Sequence, residues 1–191
     1  EYDAQERRYR TSSAVYDHDL LPMVSIDGIA WGRDRSDLRT NSLAFKDRET
    51  REVPLESDRY RILFLGDSFT EGVGFGYDET FVGLIDSALA GGGIEVLNAG
   101  VSSYSPVIYW RKAAHWIGDR GLDVDEVVVY VDISDASNEA EVYSVAPDGS
   151  IAHADEWAEV SRGVRRFPSP GRLGWLKDFL KHHTVVLATL V

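Results

Sequence analysis

Between residues 61 and 131, short apolar runs alternate with stretches of helical periodicity, and this alternation limits the fold more than any other feature of the sequence. The apolar runs cover residues 62–65, 96–97 and 127–131, and the helical stripes cover 81–89 and 107–117. Continuous apolar strands are buried on both faces, and strands separated by helices pair in parallel. We therefore predict an α/β fold with a parallel sheet and right-handed crossovers.

Size and charge narrow the possible functions. A chain of 191 residues with 43% hydrophobic residues can bury a core, and the absence of low-complexity tracts excludes disorder, collagen and coiled coil. The formal net charge of −12 opposes binding to nucleic acid or to an anionic membrane. The absence of cysteine excludes disulfides, thiol chemistry and cysteine-ligated zinc, and it leaves the cellular compartment open.

The ends of the chain differ from its middle. No apolar run is long enough to span a bilayer, and the opening EYDAQERRYR does not have the pattern of a signal peptide. We therefore expect a soluble chain, with a membrane anchor upstream of it as the alternative. Residues 61–160 contain 4 basic and 18 acidic side chains, whereas residues 161–191 contain 6 and 1. We predict a segment 1–60 that packs on the core, a core over 61–141, and an appendage over 142–191.

The appendage is expected to contain a hairpin and a helix. VYSVAPDGSIAH is typical of a hairpin, and leucines at helical spacing after residue 171 predict a helix with an apolar side. That helix is either a lid over a substrate or an ordinary insertion.

Each predicted core strand ends in a polar loop. The loops are GDSFTEG from Gly66, NAGVSSYS from Asn98 and DISDASNE from Asp132. In an open α/β sheet the carboxyl ends of the strands form the ligand crevice, so we expect the three loops to meet there. Ser68 follows a strand and a glycine, which is the position of a nucleophile on a tight turn, although the residues around it are not the GxSxG elbow.

These loops resemble the first three sequence blocks of the SGNH/GDSL hydrolases. The resemblance covers about residues 16–143, and YDHDLLP and TNSLAFKD are similar to a bacterial branch with unassigned substrates. It implies a three-layer, flavodoxin-like α/β/α fold. It also implies the activity of an esterase, lipase, acyltransferase or carbohydrate O-acetyl hydrolase, with no cofactor.

The resemblance also implies roles for individual residues. Ser68 would be the nucleophile, and its N–H and that of Gly100 would bind the oxyanion. Ser134 stands where the family has a third donor, an asparagine in a GxND block, and its hydroxyl has a shorter reach. Three further residues are expected to support the loops: Asp67, Asn98 and Asp135.

The proton acceptor departs from the family pattern. The family uses a C-terminal Asp-x-x-His block, but here Asp178 precedes His182 by four residues. With three core strands against about five in a flavodoxin-like sheet, the resemblance predicts a domain incomplete at its carboxyl end. The internal candidate is His18, between Asp17 and Asp19, because some polysaccharide O-acetyltransferases of this superfamily place the pair upstream of the serine.

Each of these residues also has a plainer interpretation. Ser68 can cap the following helix, Gly100 can serve a turn that needs positive φ, and Asp135 can be solvated. His18 can be a solvated loop residue. The other histidines carry no motif: His115, His153, His182 and His183.

Two rival chemistries follow from the same loops. The first rival is dinucleotide binding by the glycine-rich GVGFG after the first strand. This segment lacks the GxGxxG spacing of a dinucleotide loop, and Asp67 and Glu71 would repel a pyrophosphate. The acidic loop suggests a divalent metal for phosphoester hydrolysis, although this leaves the serine unexplained. Its ligands would come from Asp67, Asp132, Asp135, Glu139 and Glu141.

We therefore expect a serine hydrolase that acts on O-acetyl or other short acyl esters of carbohydrate through an acyl-enzyme. The acidic charge around the site favours neutral or cationic substrates. An O-acyltransferase with the same site and a catalytically inactive binding or assembly module remain the alternatives. The oligomeric state is left open.

Overall fold

The computed structural model describes residues 4–132, 135, 142–145 and 151–153. The strands are β1 (Arg10–Ser13), β2 (Asp17–Leu20), β3 (Ser25–Trp31), β4 (Asp34–Thr40), β5 (Lys46–Asp47), β6 (Tyr60–Leu65), β7 (Ile94–Asn98), β8 (Glu126–Val129), β9 (Tyr143–Val145) and β10 (Ile151–His153). The α-helices are α1 (Ser68–Glu71), α2 (Phe81–Leu89) and α3 (Pro106–Ala113), which continues as a π-helix over Ala114–Asp119. Two 3₁₀ turns cover Glu6–Arg8 and Tyr77–Glu79.

The three strands predicted from the apolar runs form a parallel unit. β6 lies in the middle and pairs with β7 on one side and β8 on the other, with Leu63 opposite both Leu97 and Val127. This order, second, first, third, is the order with which flavodoxin-like sheets begin. The prediction of an α/β fold is confirmed.

The sheet as a whole is mixed, which corrects the expectation of a purely parallel sheet. β3, β4 and β5 extend it in antiparallel pairing, and a single pair, Lys46 opposite Asn98, joins β5 to β7. The apolar pattern missed β4 and β5 because β4 reads DRSDLRT, with a single apolar residue, while β5 has only two residues. The segment 1–60 therefore supplies half of the six-stranded sheet.

Helices cover both faces of the parallel unit. Leu63 and Leu65 of β6 belong to the larger core cluster, which contains Tyr109 and Trp116 from the α3 side. Phe64, between them in the strand, belongs to a second cluster with residues of α2. Because neighbouring residues of a strand point to opposite faces, the arrangement has three layers.

The helix boundaries follow local chemistry. α2 begins after Thr80, whose hydroxyl accepts a hydrogen bond from Gly83 N–H at 3.0 Å. Pro106 is the first residue of α3, where its missing N–H costs nothing. The second predicted helical stripe is confirmed through Ile117, although its last part is a π-helix.

The predicted hairpin is present, since β9 and β10 pair with Tyr143 opposite His153. The leucine-rich helix expected after residue 171 lies outside the described residues. Among the helices that the structure describes, none has the length and apolar character needed to cross a membrane.

Candidate active site

The first polar loop turns sharply between β6 and α1. Gly66 occupies the turn, and a Cβ there would lie 2.0 Å from Thr70 Oγ1, so the close approach requires glycine. Asp67 caps α1, because its Oδ1 accepts a hydrogen bond from Phe69 N–H at 2.9 Å. Ser68 is thus the first residue of α1 and is not its cap, which removes the plainer interpretation of this serine.

Ser68 is half-buried and directly follows the buried Asp67. Burial raises the pKa of Asp67, the bond from Phe69 N–H partly opposes this, and the nearby Asp132 carboxylate adds to it. Asp67 therefore caps the helix that the predicted nucleophile opens.

The second polar loop packs against α1. Asn98 Nδ2 donates to Thr70 O at 2.8 Å, and Val101 N–H donates to Gly66 O at 3.1 Å. A Cβ on Gly100 would lie 2.7 Å from Thr70 Cβ and 2.8 Å from the backbone N of Glu71. Gly100 is not among the glycines with positive φ. Close packing, and not a turn, is what requires glycine here.

The N–H of Gly100, the predicted oxyanion donor, already has an acceptor. It donates to Asn98 Oδ1 at 3.1 Å. A substrate oxyanion would therefore compete with the Asn98 side chain for this donor.

The third polar loop brings two more carboxylates to the first. Asp132 N–H donates to Asp135 Oδ2 at 2.8 Å. Asp67, Asp132 and Asp135 each place one carboxylate oxygen within 4.8 Å of the others. Burial raises the pKa of Asp135 to about 6, with backbone and Tyr109 hydrogen bonds opposing and the two other carboxylates adding to the rise. The predicted convergence of these loops is observed, but Ser134, Glu139 and Glu141 lie outside the described residues.

His18 lies on β2 and is 7% exposed, so it is not a solvated loop residue. Its Nδ1 lies 2.5 Å from Asp17 Oδ2, and its Nε2 lies 2.8 Å from Ser102 O in the second polar loop. Asp17 has a φ of +77°, which is strained for a residue with a side chain. In the part of the chain that the structure describes, His18 is held against the second loop and forms no hydrogen bond with Ser68.

Two buried residues of the site region escaped the sequence patterns. Glu71 accepts hydrogen bonds from Arg10 Nη2 at 2.8 Å and from Ser102 N–H at 2.6 Å. Lys46 Nζ donates to Gly72 O at 2.8 Å, and burial lowers its pKa to about 8 although Glu71 opposes the shift. Both residues stand in motifs quoted above, Glu71 in GDSFTEG and Lys46 in TNSLAFKD, but no local pattern pairs Glu71 with an arginine 61 residues away.

No model of a known protein family matches the chain, and no curated protein matches it. Among solved structures, it is similar to AlinE4, an SGNH-hydrolase family esterase, with a TM-score of 0.37 and 18% identity over 68% of this chain and 77% of that one. Two variants of the same esterase, each with one alanine substitution, give the same TM-score of 0.37 at 18% and 17% identity. Residue roles in this chain therefore rest on its own geometry.

Gly100→Ala should separate the second loop from α1. The new methyl group would overlap the backbone of Glu71, so we expect the free energy of unfolding to fall by about 1–3 kcal/mol. Gly118→Ala is the matched control, because a Cβ there meets nothing within 4 Å, and its effect should stay within about 0.5 kcal/mol. Urea denaturation measures both, and equal stabilities would contradict the close packing.

Asp135 should make stability depend on pH. Its pKa rises from 3.8 to about 6 on folding, so the folded state binds the proton more tightly. The resulting stability is complete below pH 4 and is lost as the pH rises through 6. We expect Asp135→Asn to flatten this decline, with a gain over the native protein of up to about 3 kcal/mol at pH 7. Unfolding curves between pH 4 and 7 measure it, with the exposed Asp58→Asn as control; parallel curves for native and Asp135→Asn proteins would refute it.

Proposed function

We propose that this protein is an SGNH-type serine hydrolase that cleaves O-acetyl or other short acyl esters of carbohydrate. The observation that carries the proposal is the position of Ser68. It opens a helix at the carboxyl end of the central strand, and two further polar loops pack beside that turn. Ligand sites of open α/β sheets lie at this edge.

In the proposed reaction, Ser68 Oγ attacks the ester carbonyl and loses its proton to a base. The N–H groups of Ser68 and Gly100, with the Ser134 hydroxyl, stabilise the oxyanion, and Gly100 exchanges Asn98 Oδ1 for the substrate oxygen. The C–O bond to the sugar then breaks, and the base returns the proton to the sugar oxygen. Water hydrolyses the acyl-enzyme; a sugar hydroxyl in its place would give acyl transfer.

The proposed base is His18, oriented by Asp17. The contact of 2.5 Å between Asp17 Oδ2 and His18 Nδ1 supports this assignment, because a base in such a triad is held by a carboxylate on its far nitrogen. Nε2 is the nitrogen that would receive the proton. A nitrogen facing the Ser102 carbonyl can pair with it only as an N–H donor, so Nε2 must lose that proton to solvent and turn from Ser102 O to Ser68 Oγ before it acts as the base.

A second candidate is metal-dependent phosphoester hydrolysis, and the triple-carboxylate cluster favours it. Three carboxylate oxygens within 4.8 Å of one another suit a hard divalent cation. This candidate gives Ser68 no role in bond breaking. Loss of turnover with EDTA, together with full activity in Ser68→Ala, would support it over the serine hydrolase.

Ser68→Ala should abolish both covalent labelling by a fluorophosphonate and turnover of p-nitrophenyl acetate, because the attacking oxygen is removed. The matched control is Ser25→Ala, which removes the hydroxyl of an exposed serine on β3 and should label and turn over like the native protein. Labelling that persists in Ser68→Ala would refute the nucleophile. A native protein that neither labels nor hydrolyses would favour the inactive binding module.

His18→Gln should lower kcat for p-nitrophenyl acetate by about 10²–10⁴-fold, because the serine then lacks its proton acceptor. Asp17→Asn should lower it as well, since the imidazole loses the carboxylate that orients it. His115→Gln is the control: His115 contacts Tyr16 and Trp116 on the π-helix side of the core. An unchanged kcat in His18→Gln would exclude His18 as the base.

A further inference from the structure

A fully buried ion pair begins one residue after His18. Lys112 Nζ donates to Asp19 Oδ1 at 2.7 Å, and the two side chains are 0% and 6% exposed. The same Nζ lies 3.2 Å from the Tyr104 hydroxyl and about 5 Å above the Tyr104 ring. Burial lowers the pKa of Lys112, while the Asp19 carboxylate opposes this shift. Both charges are thus kept from water by each other and by aromatic side chains.

The ion pair is joined directly to His18. The Tyr104 hydroxyl donates to His18 O at 2.7 Å, and its ring meets the imidazole edge-on with centroids 4.9 Å apart. Asp19 accepts hydrogen bonds from the Tyr16 hydroxyl at 2.8 Å and from Leu20 N–H at 2.8 Å. The chain is therefore held on both sides of the histidine.

This anchoring supports the conformation of Asp17, which ends the turn between β1 and β2. Its φ of +77° is unfavourable, yet it brings Oδ2 to 2.5 Å from His18 Nδ1. Such backbone strain persists only where the surrounding contacts over-determine the conformation. Asp17 pairs with Ser13 where the chain turns from β1 into β2. The contacts of Asp19 and of the Tyr104 hydroxyl hold the residues that follow.

Stability alone gives little reason for a buried ion pair. The free energy needed to remove both charges from water is about as large as the free energy of their attraction. Packed apolar side chains of similar volume would stabilise the core equally well. We propose that Lys112, Asp19 and Tyr104 are positioning residues that hold the Asp17–His18 pair in the geometry needed to accept the Ser68 proton. This inference rests on the proposed function, in which His18 is the base.

Tyr104→Phe tests the proposal, because it removes the hydroxyl that holds His18 O and keeps the ring. We expect kcat for p-nitrophenyl acetate to fall about 10- to 100-fold while KM stays within about twofold. The NMR signal of the proton between Asp17 and His18 Nδ1 should disappear or move. The control is Tyr77→Phe, which removes the hydroxyl of another buried tyrosine, in the turn before α2, and should leave both measurements unchanged.

A double variant separates positioning from stability. Lys112→Met with Asp19→Asn removes both charges together and leaves neither as an unpaired buried ion, so the protein should fold with near-native stability. If the ion pair positions His18, the double variant should have a kcat below that of the native protein, and the NMR signal of the His18 proton should be displaced, as in Tyr104→Phe. If the ion pair only stabilises the fold, the stable double variant should have the kcat of the native protein. That result would overturn the proposal.

The two levels of failure can be told apart. If the native protein shows no turnover that depends on Ser68, the proposed function fails. The NMR signal then decides the positioning claim by itself. A signal unchanged in Tyr104→Phe overturns it, and a signal lost there but kept in Tyr77→Phe supports it.

Discussion

The buried carboxylate of Glu71 joins three parts of the chain that are distant in sequence. It lies at the end of α1 and accepts hydrogen bonds from Arg10 in β1 and from Ser102 N–H in the second polar loop. The carbonyl of Ser102 in turn contacts His18. A carboxylate this deep in the protein must keep its partners, because an unpaired buried charge costs several kcal/mol. The predicted nucleophile, the loop beside it and the predicted base are therefore held in one arrangement by one side chain.

The N-terminal segment belongs to the core and is not a cover laid over it. β3, β4 and β5 extend the sheet, and Lys46 binds the loop after α1 through the Gly72 carbonyl. Near the start of β7, Glu95 accepts hydrogen bonds of 2.6 Å from both Arg51 and Arg61. Burial alone would raise the pKa of Glu95, but these two bonds outweigh it and lower the pKa. Contacts of Lys46 and Arg51 thus tie the first sixty residues to α1 and to the parallel unit.

Local patterns predicted the elements whose signals are local. The apolar run at 62–65 and the helical stripe at 81–89 correspond to β6 and α2. Both were predictable because a buried strand or the buried side of a helix leaves an apolar pattern within one continuous segment. The antiparallel strands were not predicted. β4 is mostly polar. β5 consists of two residues, and its pairing with β7 depends on a contact across 52 positions of sequence, from Lys46 to Asn98. Strand preferences of that kind are decided by neighbours in space.

By itself, the sequence determined that three polar loops end three apolar strands, which is enough to predict Ser68, Gly100 and Asp135 at the carboxyl end of the parallel unit. Only the tertiary structure decided what each of them touches. In the folded chain Asp67 caps α1, and the Gly100 N–H donates to Asn98. Asp135 is buried beside two other carboxylates, and its pKa is raised to about 6. His18 is also buried, between Asp17 and the second loop. The reason is physical: strand and helix patterns reflect burial along one segment, whereas hydrogen bonds and charge environments arise between segments that meet only after folding.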